Sequence, residues 1–200
     1  VVFDLDGTLL RGMTVCEVLA AALGRLPRMQ EIERLTARSE IAAARSEMAR
    51  WYDGISRSEL TALLDRAQLA PGASDGIRML RDAGVTVAIA SITWCFAVEH
   101  FAGLLGVQHT LATRLHESGE IEHVWAEHKA DWVLRLAAGL AIPIERTAAV
   151  GDSAGDHAML GAVNVPFFVG AQPPRDREGW LHWPGASIET IAAHLLGKWR

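Results

Sequence analysis

The chain has 200 residues, half of them hydrophobic, and a formal net charge of −5. That composition suffices for one sizeable core with an inserted module, and the acidic balance argues against a nucleic-acid partner, which would need a basic surface. No apolar run approaches the roughly 20 residues that span a bilayer, and the lone Cys16 and Cys95 fit neither a metal motif nor a disulfide framework, so a cytoplasmic protein with reduced thiols and no membrane partner is expected.

Val1-Val2-Phe3-Asp4-Leu5-Asp6-Gly7-Thr8 reads as an apolar strand ending on two carboxylates and a glycine turn. On a strand, residues i and i+2 face the same way, so Asp4 and Asp6 are expected to project together at the carboxyl end, where open α/β sheets bind ligands. Gly7 permits a sharp turn whose free N–H groups suit phosphate oxygens. Like charges this close favour a bound cation or a shared proton. Taken alone, the same residues also describe a polar strand end running into a turn. The run begins at residue 1 without Met, so a few residues are expected before Val1, and no signal peptide is visible.

From residue 11 to about 70 the pattern is helical. Thr14 to Leu23 is apolar and stops at Gly24, Gln30 to Trp51 reads as one long helix, and Ser58 to Gln68 carries Leu60, Leu63 and Leu64 on one face. Residues 11–66 hold nine Arg against eight Asp or Glu, whereas the remainder holds ten basic against sixteen acidic residues, so a nearly neutral module is set into an acidic body. In the long helix Arg34, Arg38 and Arg45 share a face with Ile41 and Met48. That stripe faces either solvent, among Glu neighbours, or the site, where it would pair with a substrate carboxylate or second phosphate.

Val85 to Ala90 reads as a further core strand with Ser91 at its end. A helix from Phe96 to Leu105 follows, then a hairpin of His109 to Leu115 and Glu120 to Trp125 turning at Ser118-Gly119. Lys129 stands near the start of a helix running through Leu136. Thr147 to Val150 is a strand that delivers Gly151-Asp152-Ser153-Ala154-Gly155-Asp156, in which Asp156 either flanks the helix beginning near Ser153 or belongs to a site. The eight His form no metal-spacing set, and His123 and His128 read as loop residues beside Trp125. Trp180, Trp183 and Trp199 are expected to cover the last strand or an interface.

An Asp pair, a Ser, a Lys and a second Asp pair, in that order, resemble the haloacid dehalogenase superfamily of phosphohydrolases over the whole chain, and within it the phosphoserine phosphatase group. The resemblance implies an α/β fold with a doubly wound, Rossmann-like parallel sheet. Residues 1–10 and 71–200 would form its core, and 11–70 an inserted helical type 1 cap. Asp4 would be the nucleophile that forms an aspartyl phosphate, Asp6 the general acid and then base, and Lys129 the cation that offsets their charge. Asp6, Gly7, Thr8, Ser91 and Lys129 would hold the phosphate. Mg²⁺ would bind Asp4, the Asp6 carbonyl and Asp152, with Asp156 behind them. Dehalogenase members lack the second Asp of the first motif, so Asp6 points to phosphate esters.

The implied function is a Mg²⁺-dependent phosphomonoesterase of a small phosphorylated metabolite, acting as a monomer or homodimer. A phosphotransferase or mutase and a non-catalytic binding protein are the alternatives. Three departures bear on the substrate. Where the phosphoserine phosphatases usually carry an acid early in the cap, this chain has Arg11-Gly12-Met13-Thr14, with Glu17 the nearest acid; the Ser-Gly-Gly turn is Ser91-Ile92-Thr93-Trp94; and Gly155 replaces a frequent Asn. Met13, Ile92, Trp94 and Arg45 are expected to shape the leaving-group pocket, with Trp94 alternatively packing under the cap or into the core, and the apolar members favour a sugar phosphate or larger ester over phosphoserine.

Overall fold

The computed structural model describes residues 1–175 and 177–199. In chain order the elements are β1 (Val2–Phe3), β2 (Leu10–Arg11), α1 (Val15–Ala22), α2 (Leu26–Ile32), α3 (Arg38–Trp51), α4 (Arg57–Leu63), β3 (Gln68–Leu69), α5 (Ala73–Asp82), β4 (Ala88–Trp94), α6 (Cys95–Leu105), β5 (His109–Leu115), β6 (Ile121–Glu122), α7 (Ala126–Gly139), β7 (Ala148–Gly151), α8 (His157–Gly161), β8 (Val165–Phe168), β9 (Leu181–His182) and α9 (Ile188–Lys198). Seven strands form one sheet in the order β6-β5-β4-β1-β7-β8-β9. Every pairing is parallel except β5 with β6, so this is an α/β sheet of the Rossmann-like kind. Among the described residues no helix is long and apolar enough to cross a membrane.

Strand alternation builds two separate cores. Phe3, Ile89, Val150 and Phe167 point to one face, where they meet Ile77 and Leu80 of α5, Phe101 of α6 and Ile191 and Leu195 of α9. Their neighbours Val2, Ala88, Ala90, Ala149 and Phe168 point to the other, against Val133 of α7 and Met159 and Leu160 of α8. The first face also depends on a close approach of two helices. A Cβ at Gly76 of α5 would stand 2.6 Å from the Ile188 carbonyl at the start of α9. Gly76→Ala is therefore expected to destabilise the protein by about 1–3 kcal/mol through overpacking, read as a lower urea midpoint. An unchanged midpoint would mean that α5 and α9 separate freely.

Between β2 and β3, which pair antiparallel through Leu10 with Leu69 and Arg11 with Gln68, the chain is helical. The single helix expected over 30–51 is broken: α2 ends at Ile32 and α3 starts at Arg38. Met29 and Ile32 are the buried face of α2, while Ala44, Arg45 and Met48 are that of α3. On one straight helix these two faces would lie more than about 100° apart, so only one would be buried. Arg34 consequently falls in the connecting turn and does not share a face with Arg38 and Arg45.

The segment expected as one helix over 58–68 is α4, a 3₁₀ turn and the short β3. The hairpin's second strand is reduced to Ile121–Glu122 because Val124 and Trp125 turn into α7. β4 begins three residues later than the apolar run and continues to Trp94, so Ser91 lies inside it, within the stretch where its register with β5 shifts. Trp183 packs on Phe167 and Trp180 on His157, both over the last strands.

Candidate active site

Asp4 leaves β1 in extended conformation, and its N–H donates to the Val150 carbonyl of β7 at 2.9 Å. The chain then turns through Leu5–Leu9, with Gly7 at φ +78°. A Cβ at Gly7 would overlap the Asp152 carboxylate, so only glycine lets this turn pass across the end of β7. Asp6 lies within the turn and not on the strand, so the i, i+2 alternation is not what positions it. Its Oδ1 instead accepts from Val15 N–H, 2.7 Å away at the start of α1, where the helix dipole favours a carboxylate.

Lys129 enters from the first turn of α7 and is 1% exposed. Its Nζ donates to Asp4 Oδ1 at 2.6 Å and to Asp156 Oδ1 at 2.7 Å, both fully or nearly fully buried carboxylates. The other Asp156 oxygen accepts from Asp152 N–H at 3.0 Å, Ser153 N–H at 3.1 Å and the Ser153 hydroxyl at 3.3 Å. Asp156 is thus engaged on both sides and orients Lys129 and the β7–α8 turn. Asp152 Oδ1 accepts from the Thr8 hydroxyl at 3.3 Å.

The electrostatics follow from burying four carboxylates around one ammonium. Burial, reinforced by the Asp156 charge, holds Asp4 well above the usual carboxylate range against the pull of Lys129. Burial likewise pushes Asp6 to about 7 and, with Asp156, Asp152 to about 6. For Lys129, burial lowers the value, but Asp4 and Asp156 outweigh it and keep the ammonium above the ordinary lysine range.

One carboxylate oxygen from each of Asp4, Asp152 and Asp156 lies within 4.8 Å of the others. The second oxygens of Asp4 and Asp152 accept no hydrogen bond from the described residues, whereas both oxygens of Asp156 do. Asp4 and Asp152, with excess negative charge and oxygen-only donors, therefore fit a hard divalent cation such as Mg²⁺.

The other residues singled out by the sequence fall into different surroundings. Ser91 is 1% exposed, and its Oγ accepts from Thr93 N–H at 3.4 Å. Met13 and Ile92 are exposed. Trp94 is a correction: it is buried, edge-on to Tyr52 with ring centres 5.9 Å apart, and lines no open pocket. It belongs to the core cluster that includes Tyr52, the residue that follows α3.

Arg45 is buried, and its guanidinium donates to the Ile92 carbonyl at 2.9 Å and the Val124 carbonyl at 3.2 Å. Glu17 closes a capping box with Thr14, its Oε2 accepting from Thr14 N–H at 2.9 Å. That Thr-x-x-Glu spacing was readable in the sequence. The contact of Asp6 with Val15 carried no sequence signal, because it depends on where α1 lands.

Residues 1–161 match the model of the haloacid dehalogenase-like hydrolases. The phosphoserine phosphatase of Idiomarina loihiensis is 31% identical over 182 residues, spanning 86% of this chain and 82% of that protein. Phosphoserine phosphatase SerB2 of Mycobacterium tuberculosis is 29% identical over 182 residues, and the match spans 44% of its length. In fold, the chain is similar to a substrate-bound phosphoserine phosphatase, with a TM-score of 0.79 and 20% identity over 96% of each chain.

Proposed function

The chain belongs to the haloacid dehalogenase-like hydrolase family, and on that premise we propose that it is a Mg²⁺-dependent phosphomonoesterase, similar to the phosphoserine phosphatases, working through an aspartyl phosphate. The observation that carries this reading is Asp4, buried and clamped by Lys129 at 2.6 Å, with its second oxygen accepting no hydrogen bond from the described residues. Such an oxygen attacks phosphorus in line, forming the Oδ2–P bond as the bond from phosphorus to the leaving oxygen breaks. Asp6, pushed to about 7 by burial, retains a proton near neutrality and gives it to the leaving alcohol. The same carboxylate then takes a proton from the water that hydrolyses the aspartyl phosphate, releasing inorganic phosphate and restoring Asp4.

Lys129, Ser91 and the backbone of Asp6, Gly7 and Thr8 hold the phosphoryl oxygens. Asp4, the Asp6 carbonyl and Asp152 would hold Mg²⁺, which when bound offsets phosphate charge against the carboxylates. Residues 11–70 act as a cap on a core of 1–10 and 71–200, rooted at the β2–β3 ribbon.

The substrate is a small phosphorylated metabolite. Glu17 is held in its capping box, so the carboxylate left beside Met13-Thr14 to receive an ammonium is Glu33, whose Oε1 accepts from the Thr14 hydroxyl at 3.2 Å. The exposure of Met13 and Ile92, 39% and 41%, favours a second reading in which the leaving group is larger or less polar than serine. Phosphate release with Mg²⁺ from phosphoserine, phosphoglycolate, sugar phosphates and aromatic phosphates tests both. Turnover abolished by chelation is expected, and a preference for the bulkier esters supports the second reading. If no ester releases phosphate, the hydrolase reading fails and a transferase or binding role takes its place.

A further inference from the structure

Arg38 and Arg45 stand seven residues apart on α3, about two turns, and share a face. Both guanidinium carbons lie over the Trp125 indole, 4.6 and 4.7 Å from the ring centre. Arg38 also ion-pairs with Glu127. Arg45 donates to His123 Nδ1 at 3.1 Å, and His123 itself stacks on Trp125 with ring centres 5.3 Å apart. Arg45 has no carboxylate partner among the described residues. Two guanidiniums brought together repel, and Glu127 pairs with Arg38 alone. The negative face of the indole is what makes their shared position favourable.

The segments gripped by this contact run directly into the site. Trp125 immediately precedes α7, and Lys129 is the fourth residue of that helix. Ile92, whose carbonyl receives Arg45 at 2.9 Å, follows Ser91 on β4. One face of α3 is therefore pinned to the chain next to both Lys129 and Ser91.

We infer that Trp125 is a positioning residue for the hydrolysis: its indole seats α3 against the segment bearing Lys129 and so holds the arrangement in which the ester reacts. The inference rests on the phosphomonoesterase reading above. Trp125 acts through Arg38, Arg45 and the start of α7, and its indole belongs to neither the phosphate-holding nor the metal-holding set.

The test compares the unaltered chain with Trp125→Ala and Trp125→Phe, using phosphoserine and p-nitrophenyl phosphate as probes in Mg²⁺, alongside hydrogen exchange of residues 38–51. Trp125→Ala is expected to lower kcat/KM roughly tenfold, with KM rising more than kcat falls, and to speed exchange in 38–51. Trp125→Phe, which keeps an aromatic face, is expected to return within about threefold of the unaltered chain. Mg²⁺ affinity measured by calorimetry should stay the same in all three. Equal damage in the Ala and Phe variants, or no change in either readout for Ala, overturns the inference. Should Trp125→Ala fail to fold, Arg38→Met, altered on a side chain 57% exposed, must raise KM and exchange in the same direction or the inference fails. If the unaltered chain turns over no ester, the phosphomonoesterase reading fails, and exchange in 38–51 alone then decides the role of Trp125.

Discussion

Asp4→Asn is expected to abolish phosphate release, by about four orders of magnitude or more, while leaving the protein folded. The amide keeps an oxygen that accepts from Lys129 where Asp4 Oδ1 now does at 2.6 Å, so the clamp survives. What disappears is the anionic oxygen that bonds to phosphorus, and an amide does not replace it as a nucleophile. The variant also removes one of four crowded carboxylates, Asp4, Asp6, Asp152 and Asp156, whose mutual repulsion burial intensifies. Thermal stability without metal should therefore be unchanged or slightly higher. Phosphate release and intact-mass measurement on quenched reactions check this together, since the unaltered chain should carry a transient phosphoryl adduct that Asp4→Asn lacks. A variant that keeps more than about one-hundredth of the activity would remove Asp4 from the nucleophile's role.

Lys129→Met is expected to have the largest effect on stability, about 3–5 kcal/mol at neutral pH. Among the described residues the ammonium is the single cation bonded to both Asp4 and Asp156, and Lys129 is 1% exposed. Methionine fills much of its volume but leaves two buried carboxylates facing each other with no counter-charge. The sign with pH follows from the direction of the shift. Lys129 is held above its ordinary value, so its contribution is complete below the ordinary lysine range and is lost only as pH rises beyond it. In the variant, acidification protonates Asp4, which burial already holds well above the usual carboxylate range, so the deficit relative to the unaltered chain should shrink as pH falls below neutrality. Urea unfolding at several pH values reads this directly. A variant as stable as the unaltered chain at pH 7 would mean that the two Lys129 ion pairs do not stabilise the fold. Turnover should also fall by at least about a hundredfold, because among the described residues no other ammonium lies on the reacting carboxylate.

Much of this was legible in the amino-acid sequence, for a local reason. Unbroken apolar runs mark β1 and β7, as suits strands covered on both faces, and the carboxylates follow where the chain leaves the sheet. Thr14 and Glu17 announce the start of α1 by their spacing, and Gly7 announces a turn. Side-chain periodicity and turn chemistry are properties of a few consecutive residues, so they survive without knowledge of the rest of the chain.

Other features were decided only when distant segments met. The 30–51 stretch breaks because its two apolar faces must bury against different surfaces. Ser91 lies within β4 because pairing with β5 carries that strand beyond its apolar run, and Trp94 joins the core cluster with Tyr52 instead of facing a ligand. Asp6 is held by Val15, and α3 by Trp125, through contacts between segments with no common pattern. The sequence by itself determined which residues are candidates for the chemistry and where along the chain each falls. Tertiary structure alone decided which side chains share a buried space, because burial, and the raised values of Asp4, Asp6 and Asp152 that come with it, depends on what the chain folds over them.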